Sequence, residues 1–270
     1  MSLSSPSSKL PPARAAWWLR LHAALMPDYN RRAAVYWWLM VFGGSAVTLA
    51  CVSQLLQTPW QRWAAAGLGM VLAVGAGLFP IRLPGTKTSF AAGEMFLFLV
   101  LLALGPAAAA LVAGVEALTG SWRTSKRWTS RIASPAIAVL TMAGTGGLLH
   151  AALEALRQAD RDDAAAVLAV MLAFSVLYFA VNSVLMSSVQ RLKRNESLFH
   201  WIALFIDLRW VGLAYAGSAV VATLLFVTYE AQGSAVLLVM VPLLAMLLVS
   251  LNLYFDTRKR DGRWALHTPR

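Results

Sequence analysis

Long runs of apolar residues, separated by short polar stretches, dominate the chain from residue 34 onward. A helix needs about 20 apolar residues to cross the roughly 30 Å hydrocarbon core of a membrane. Six runs meet this requirement and predict long membrane-spanning helices: 34–56, 63–81, 132–153, 164–189, 210–230 and 233–255. The pattern therefore predicts an all-α polytopic transmembrane bundle.

A further apolar block, 89–119, is too long for one untilted span and too short for two full spans. Gly105 and Pro106 divide this block near its middle. Proline lacks a backbone N–H and clashes with the preceding turn, so a helix breaks or kinks there. We predict a broken hairpin that turns back on itself.

The basic residues favour this hairpin over a single crossing. Cytoplasmic loops carry an excess of Lys and Arg. If 89–119 turns back, every Lys and Arg except Arg62, Arg157 and Arg161 falls on one side. A single crossing would remove that asymmetry. Both termini are therefore predicted to be cytoplasmic, with an interfacial segment (1–33), one transmembrane domain (34–255) and a short basic tail (256–270).

Composition agrees with a membrane protein. Hydrophobic residues make up 59% of the chain and charged residues 13%, whereas soluble domains have about 45–50% and about 25%. The lone Cys51 excludes an internal disulfide. The net charge of +11 could indicate nucleic-acid binding. Its placement instead suits an anionic cytoplasmic leaflet as the partner surface.

Three local features refine the predicted topology. Residues 197–210 are apolar but short, which is typical of a helix lying in the membrane interface. Pro135 is placed in the first turn of the 132–153 span, where a missing N–H costs little. Glycines at 43, 44, 67, 69, 75, 77, 144, 146 and 147 are expected to permit close helix packing.

Signatures of catalysis and metal binding are missing from the sequence. It contains no Walker loop, GxGxxG, GxSxG or HExxH motif. The four His residues have no partner at zinc-ligand spacing. We therefore expect a non-enzymatic protein without a metal site, and the residues identify no cofactor.

Two carboxylates in the hairpin are the main candidate ligand-binding residues. Glu94 and Glu116 lie at similar distances on either side of the Gly105–Pro106 break, so an antiparallel pair places them at one depth. Ionisable groups inside a membrane usually face a partner or a cavity. They could bind a cation or a polar ligand. Alternatively, both lie near the interface and pair with Lys126, Arg127 or Arg131.

Tyr178 and Asn182 are spaced four apart and so share one helix face in the 164–189 span. They could line a ligand pocket opposite the hairpin. An ordinary interhelical hydrogen bond is the simpler interpretation.

Loop 120–132 combines basic residues with tryptophans. Arg123, Lys126, Arg127 and Trp128 are predicted to contact lipid headgroups or a protein partner. Trp201, which lies at a predicted span end, is predicted to do the same. Such a loop could also bind a nucleotide or RNA, but lipid contact is favoured because the loop adjoins predicted spans.

Residues 79–135 resemble the N-terminal multi-span sensory modules of bacterial signalling proteins, the type fused to HD-GYP or GGDEF output domains. The resemblance rests on the Phe-Pro-Ile-Arg-Leu-Pro-Gly entry, the Leu-Gly-Pro-Ala-Ala-Ala break, the basic loop and Arg-Ile-Ala-Ser-Pro-Ala. It implies an input module for a small ligand in a bacterial inner membrane. It offers Ser89, Glu94, Glu116 and Arg131 as matching polar positions.

This chain differs from those modules because no output-domain sequence follows the last span, so a separate protein partner is expected to provide the output. The leading hypothesis is a sensory or ligand-binding membrane module. A small-molecule or ion transporter, or its substrate-binding subunit, is the second hypothesis. A structural or assembly factor of a membrane complex is the third.

Overall fold

Seven helices and one short pair of strands form in the computed structural model, which describes residues 26, 29–78, 81–82, 89–90, 93–161, 163–194, 201–233, 242, 243, 246 and 250. For 81–82, 89–90 and 201–210 it describes the backbone only. In chain order the elements are α1 (Arg31–Leu56), α2 (Trp60–Gly77), β1 (Ile81–Arg82), β2 (Ser89–Phe90), α3 (Gly93–Leu104), α4 (Pro106–Thr124), α5 (Trp128–Gln158), α6 (Ala164–Lys193) and α7 (Trp201–Gln232).

Four of these helices are long and apolar enough to cross a membrane: α1, α5, α6 and the Val211–Gln232 part of α7. The predicted all-α membrane architecture is therefore confirmed at that level. The predicted span 63–81 forms α2, which ends at Gly77 and is 18 residues long. The predicted span 233–255 lies outside the described residues, apart from isolated positions.

The apolar block 89–119 forms two helices that meet at Gly105. This glycine has φ of 91°, which an L side chain rarely adopts. Pro106 is the first residue of α4, where its fixed φ suits a helix start. The apolar block was predicted to begin at residue 89, but Ser89 and Phe90 form β2, which pairs antiparallel with β1. Helix α3 begins only at Gly93.

The α3–α4 hairpin lies in the centre of the bundle. Helix α3 packs against α2, α4 and α7, and α4 packs against α1, α2 and α5. Seven of the 12 residues of α3 are buried. The longer helices α1, α5 and α6 pack on the outside of this pair and present many exposed apolar side chains, among them Leu49, Leu148 and Val176. Exposed apolar faces of this extent suit a lipid environment.

Two predicted helix boundaries are wrong. Helix α5 begins at Trp128, so Pro135 lies inside the helix and not in its first turn. Its ring removes the N–H that would bond to the carbonyl of residue 131. Helix α7 begins at Trp201 and continues without interruption through 210. The segment 197–210 is therefore not a separate interfacial helix over its described part.

Charged side chains separate to the two ends of the bundle. The basic end contains the start of α1 (Arg31, Arg32), the α4–α5 loop (123–131) and the end of α6 (191–194). Contacts hold these elements together: Trp37 Nε1 donates to the Thr129 carbonyl at 2.9 Å, and Asn30 Nδ2 donates to the Leu192 carbonyl. The opposite end contains the α1–α2, α3–α4 and α5–α6 turns.

Close packing between helices depends on a few glycines. A β-carbon at Gly44 would lie 2.6 Å from Ala136 Cβ and 2.7 Å from Ala136 backbone atoms, so α1 and α5 touch along their backbones. Gly146 similarly approaches Leu101 and Pro106. Gly67, in contrast, has nothing within 4 Å. Only some of the predicted packing glycines therefore carry a close approach.

We expect Gly44→Ala to lower the free energy of unfolding by about 1–3 kcal/mol, the usual cost of overpacking. The added methyl group meets backbone atoms of Ala136 that cannot rotate away. Gly67→Ala is the matched control, because its methyl group enters open space and gains helix propensity. Thermal unfolding in detergent measures both variants. Equal midpoints would contradict the close contact between α1 and α5.

Candidate functional site

A cavity of about 200 Å³ lies within the bundle toward its basic end. Residues from six helices, α2 to α7, line it. Its polar lining includes Glu94, Glu116, Arg123, Tyr178, Asn182 and Tyr215. The structure therefore brings four predicted site residues, Glu94, Glu116, Tyr178 and Asn182, into one cavity. Their function as ligand-binding residues stays a prediction.

Glu94 enters the cavity from the first turn of α3. Its Oε2 atom is enclosed and has no hydrogen-bond partner among the described residues. The free N–H groups and the dipole of a helix N-terminus favour a carboxylate at this position. Those groups do not reach Oε2 as hydrogen-bond donors, so this oxygen is an acceptor without a donor.

Glu116 faces the same point from α4. A β-carbon at Gly93 would overlap Glu116 Oε1 and would lie 2.8 Å from Glu116 Cδ. A β-carbon at Gly77 would lie 3.8 Å from the same Oε1. The carboxylate of Glu116 therefore lies between the end of α2 and the start of α3. Only glycine at position 93 leaves room for it.

Tyr215 connects the carboxylates to the opposite wall. It lies beside the Glu94 carboxylate and the Asn182 side chain, and all three line the cavity. The order Asn182, Tyr215, Glu94 thus forms a short polar chain across α6, α7 and α3. Sequence analysis did not identify Tyr215. The only signal was a polar aromatic residue within an apolar span, which ordinary packing also explains.

An aromatic cluster closes the inner side of the cavity. Phe98 lies one helical turn after Glu94 on α3 and is fully buried. Its ring centroid is 5.3 Å from that of Phe174, 5.7 Å from that of Tyr178 and 6.2 Å from that of Tyr215. Edge-to-face aromatic pairs at these distances are stabilising. The polar cavity is thus separated from the opposite end of the bundle by rings.

The cavity opens at the basic end. Its exposed lining residues are Leu78 at the end of α2, Gly120 and Arg123 near the end of α4, and Met186 on α6. Arg123 donates from Nη1 to the Gly77 carbonyl at 3.0 Å. It was predicted as a lipid or partner contact, and the structure places it at the mouth of the cavity.

Arg131 lies away from the carboxylates. Its Nε donates to the Ser125 carbonyl at 2.9 Å, and its guanidinium carbon is 4.5 Å from the ring centroid of Trp122 and 5.6 Å from that of Trp128. Arg131 thus stabilises the α4–α5 loop by carbonyl bonds and cation–π contacts. It does not line the cavity, so its predicted grouping with Glu94 and Glu116 is not seen.

The remaining predicted contact residues lie on the surface or outside the described side chains. Lys126, Arg127 and Trp128 are exposed on the α4–α5 loop. None of the three lines the cavity, so the alternative in which Lys126 or Arg127 pairs with the carboxylates gains no support. Ser89 lies in β2 and Trp201 begins α7, but only their backbone is described.

The charge of the cavity needs a counterion. Two carboxylates in one cavity are costly unless a proton, a bound cation or a basic side chain compensates them. Among the described lining residues only Arg123, at the mouth, is basic. A multidentate metal site is not available in the described part of the chain, which contains no group of three His, Cys, Asp or Glu side chains able to hold an ion. The arrangement suits a ligand that donates hydrogen bonds and carries positive charge.

A second cavity of about 330 Å³ lies at the opposite end, beside Gly105 and Pro106. Its polar lining includes Gln54, Arg62 and His150, all of which are exposed. It is an open groove lined by exposed polar groups.

Comparison of the chain with protein-family models, with curated proteins and with solved structures finds no match. Its own geometry thus defines a mainly helical bundle with four helices long and apolar enough to cross a membrane and an acidic cavity that opens at the basic end.

We expect Phe98→Ala to destabilise the protein by about 3–5 kcal/mol, because it removes a fully buried ring and leaves a cavity. Phe42→Ala is the matched control, since Phe42 is 65% exposed and its loss should cost about 1 kcal/mol or less. Chemical or thermal unfolding followed by circular dichroism compares them. A Phe98 variant as stable as the control would show that the aromatic cluster does not support the site.

Proposed function

We propose that this protein is a non-enzymatic sensory module of a bacterial inner membrane. It binds a small ligand in the acidic cavity and relays occupancy to a separate protein partner. The observation that carries the proposal is the buried Oε2 of Glu94, which has no hydrogen-bond partner among the described residues and lies beside Glu116 in a cavity of about 200 Å³. A buried acceptor without a donor is costly in a folded protein unless a ligand, a proton or water satisfies it.

The proposed topology has six long spans and the α3–α4 hairpin, with both termini cytoplasmic. It is supported by the four span-like helices and by the basic residues at one end of the bundle. Lys and Arg concentrate on the cytoplasmic side of membrane proteins. The cavity mouth at Arg123 then faces the cytoplasm.

Coupling from the cavity to a partner has a simple physical route. Six helices line the cavity, so a ligand that binds one arrangement of them more tightly shifts the population toward it. Helix α4 leads directly from Glu116 to the α4–α5 loop. That loop presents exposed basic and Trp side chains, Arg123, Lys126, Arg127, Trp122 and Trp128. We assign this surface to the anionic leaflet and to the partner.

The resemblance of residues 79–135 to bacterial sensory modules supports the same function. The matching segment contains both carboxylates, the helix break and the basic loop, which are the parts that build the cavity and its exit.

A transporter is the second candidate, and one observation favours it. Cavities lie at both ends of the broken hairpin, one beside Glu94 and Glu116 and one beside Gly105. Broken helices at a binding site are common in transporters that alternate access between two sides. Accumulation of a ligand inside proteoliposomes would favour transport, whereas binding without accumulation would favour sensing.

The topology predicts one-sided labelling of the α4–α5 loop. In a Cys51→Ala background, Ser125→Cys should react with a membrane-impermeant maleimide in inside-out vesicles and not in intact spheroplasts. Glu154→Cys, at the opposite end of α5, is the control and should show the reverse pattern. Labelling of residue 125 from the periplasmic side would overturn the proposed orientation.

The binding proposal predicts a small-molecule adduct that depends on both carboxylates. Native mass spectrometry of protein extracted with surrounding lipid should show the adduct on the wild type and not on Glu94→Gln combined with Glu116→Gln. Glu154→Gln is the control, because it removes a carboxylate that is about half exposed at the other end.

An adduct retained by the double variant would contradict the assignment of the site. A bound protein partner without any adduct would support a structural or assembly subunit instead, and Glu94 and Glu116 would then serve the packing of the hairpin.

A further inference from the structure

We infer that the ligand of the acidic cavity carries a primary ammonium group together with a nearby anionic group, as phosphoethanolamine does. The ammonium lies between Glu94 and Glu116, and the anionic group lies against Arg123. This inference rests on the proposed function, since it names the ligand class of the same site.

The inner part of the cavity selects a cationic hydrogen-bond donor. Ionised carboxylates only accept hydrogen bonds, and Glu94 Oε2 accepts none from the described residues. Tyr215 lies beside Glu94, but its hydroxyl has a single O–H donor, which cannot serve both carboxylates. An ammonium group provides three N–H donors and one positive charge at a single point, which can serve both carboxylates.

The aromatic walls favour the same choice. Tyr178 and Tyr215 contribute aromatic surface to the lining of the cavity. Aromatic faces attract organic cations within about 6 Å of the ring centroid. A bare metal ion would lack ligands, because the described residues supply only two carboxylates here and no third metal-binding side chain.

The cavity volume limits the part of the ligand that lies inside. About 200 Å³ corresponds to roughly seven water molecules at about 30 Å³ each. A group the size of phosphoethanolamine fits within it, and any larger part of a ligand must lie outside the mouth.

The mouth selects the anionic group. Arg123 lines the cavity, is exposed, and uses Nη1 on the Gly77 carbonyl. A guanidinium has five N–H donors in a planar fork that matches phosphate and carboxylate oxygens. The two carboxylates lie inside the cavity and the arginine lies at its mouth. This arrangement matches a zwitterion that enters with its positive end first.

Two kinds of molecule carry this ammonium and anionic group: a free zwitterion and the headgroup of an ethanolamine phospholipid. The exposed side chain of Leu78, at 48% of its full exposure, lies at the mouth, so a lipid could enter the cavity headgroup first. The shared recognition elements are the ammonium and the phosphate, and the experiment separates the two sources.

Isothermal titration calorimetry on the full chain in nanodiscs of phosphatidylglycerol tests the free form, with phosphoethanolamine and ethanolamine as probes. We expect phosphoethanolamine to bind more tightly than ethanolamine. Glu94→Gln and Glu116→Gln, measured separately, should each weaken binding about 30-fold or more, because each removes a buried charge partner. Arg123→Gln should weaken only phosphoethanolamine, by about two- to fivefold, since this contact is exposed.

Glu154→Gln and Arg157→Gln are matched controls, because both side chains are exposed at the other end of the bundle, and neither should change binding. Circular dichroism verifies that each variant folds. If the Glu94 variant does not fold, the Glu116 variant is sufficient to test the site. The lipid source is tested in nanodiscs that contain phosphatidylethanolamine. Native mass spectrometry should then show that lipid retained by the wild type and lost from both Glu variants.

Failure of both probes and of the lipid to bind the wild type would overturn the inference. Binding that survives both Glu substitutions would also overturn it. Equal affinity for the two probes, together with no effect of Arg123→Gln, would overturn the role of the anionic group. The ligand inference can fail without the proposed function. An adduct of another chemical class that still depends on the two carboxylates would reject only this ligand and leave the sensory site intact.

Discussion

The structure depends on a length constraint within the central hairpin. Helix α3 has 12 residues and is therefore only about 18 Å long at 1.5 Å per residue, too short to cross a hydrocarbon core of about 30 Å. At least one of its ends must lie inside the protein. Free N–H groups at a helix end cannot be left facing lipid. Glu94 in the first turn and Glu116 against Gly93 place negative charge beside the N-terminus of α3, and Tyr215 adds a hydroxyl there.

Much of the fold follows from local chemistry that can be seen in the sequence. The helices α1 and α6 agree closely with predicted apolar runs, because polar residues flank these runs. Asn30 caps α1, since its Oδ1 accepts a hydrogen bond from the Ala33 N–H at 2.8 Å. The break at Gly105 and Pro106 was predictable. Within the apolar block 89–119, only there does a glycine, which has no side chain, stand next to a proline, which has no backbone N–H. The shared position of Glu94 and Glu116 then follows from the antiparallel turn.

Other features depend on contacts that residue type does not determine. Arg131 and Arg123 lie on the same basic segment, yet one stacks on Trp122 and the other reaches the Gly77 carbonyl. Tyr215 resembles any tyrosine in an apolar helix until α7 packs against α3 and brings it to Glu94. The early start of α5, which places Pro135 inside the helix, coincides with local contacts of Trp128 and Arg131 with Trp122.

The proposed ligand site and the proposed output surface belong to one element. The α3–α4 hairpin contributes both carboxylates, and α4 continues into the loop of Trp122, Arg123 and Trp128. Phe98 is fully buried among rings from α6 and α7. In the proposed function, a charge that binds between Glu94 and Glu116 therefore acts on a closely packed body. Such a body is suited to transmit a small displacement along α4, because packed interfaces shift as units and do not deform continuously.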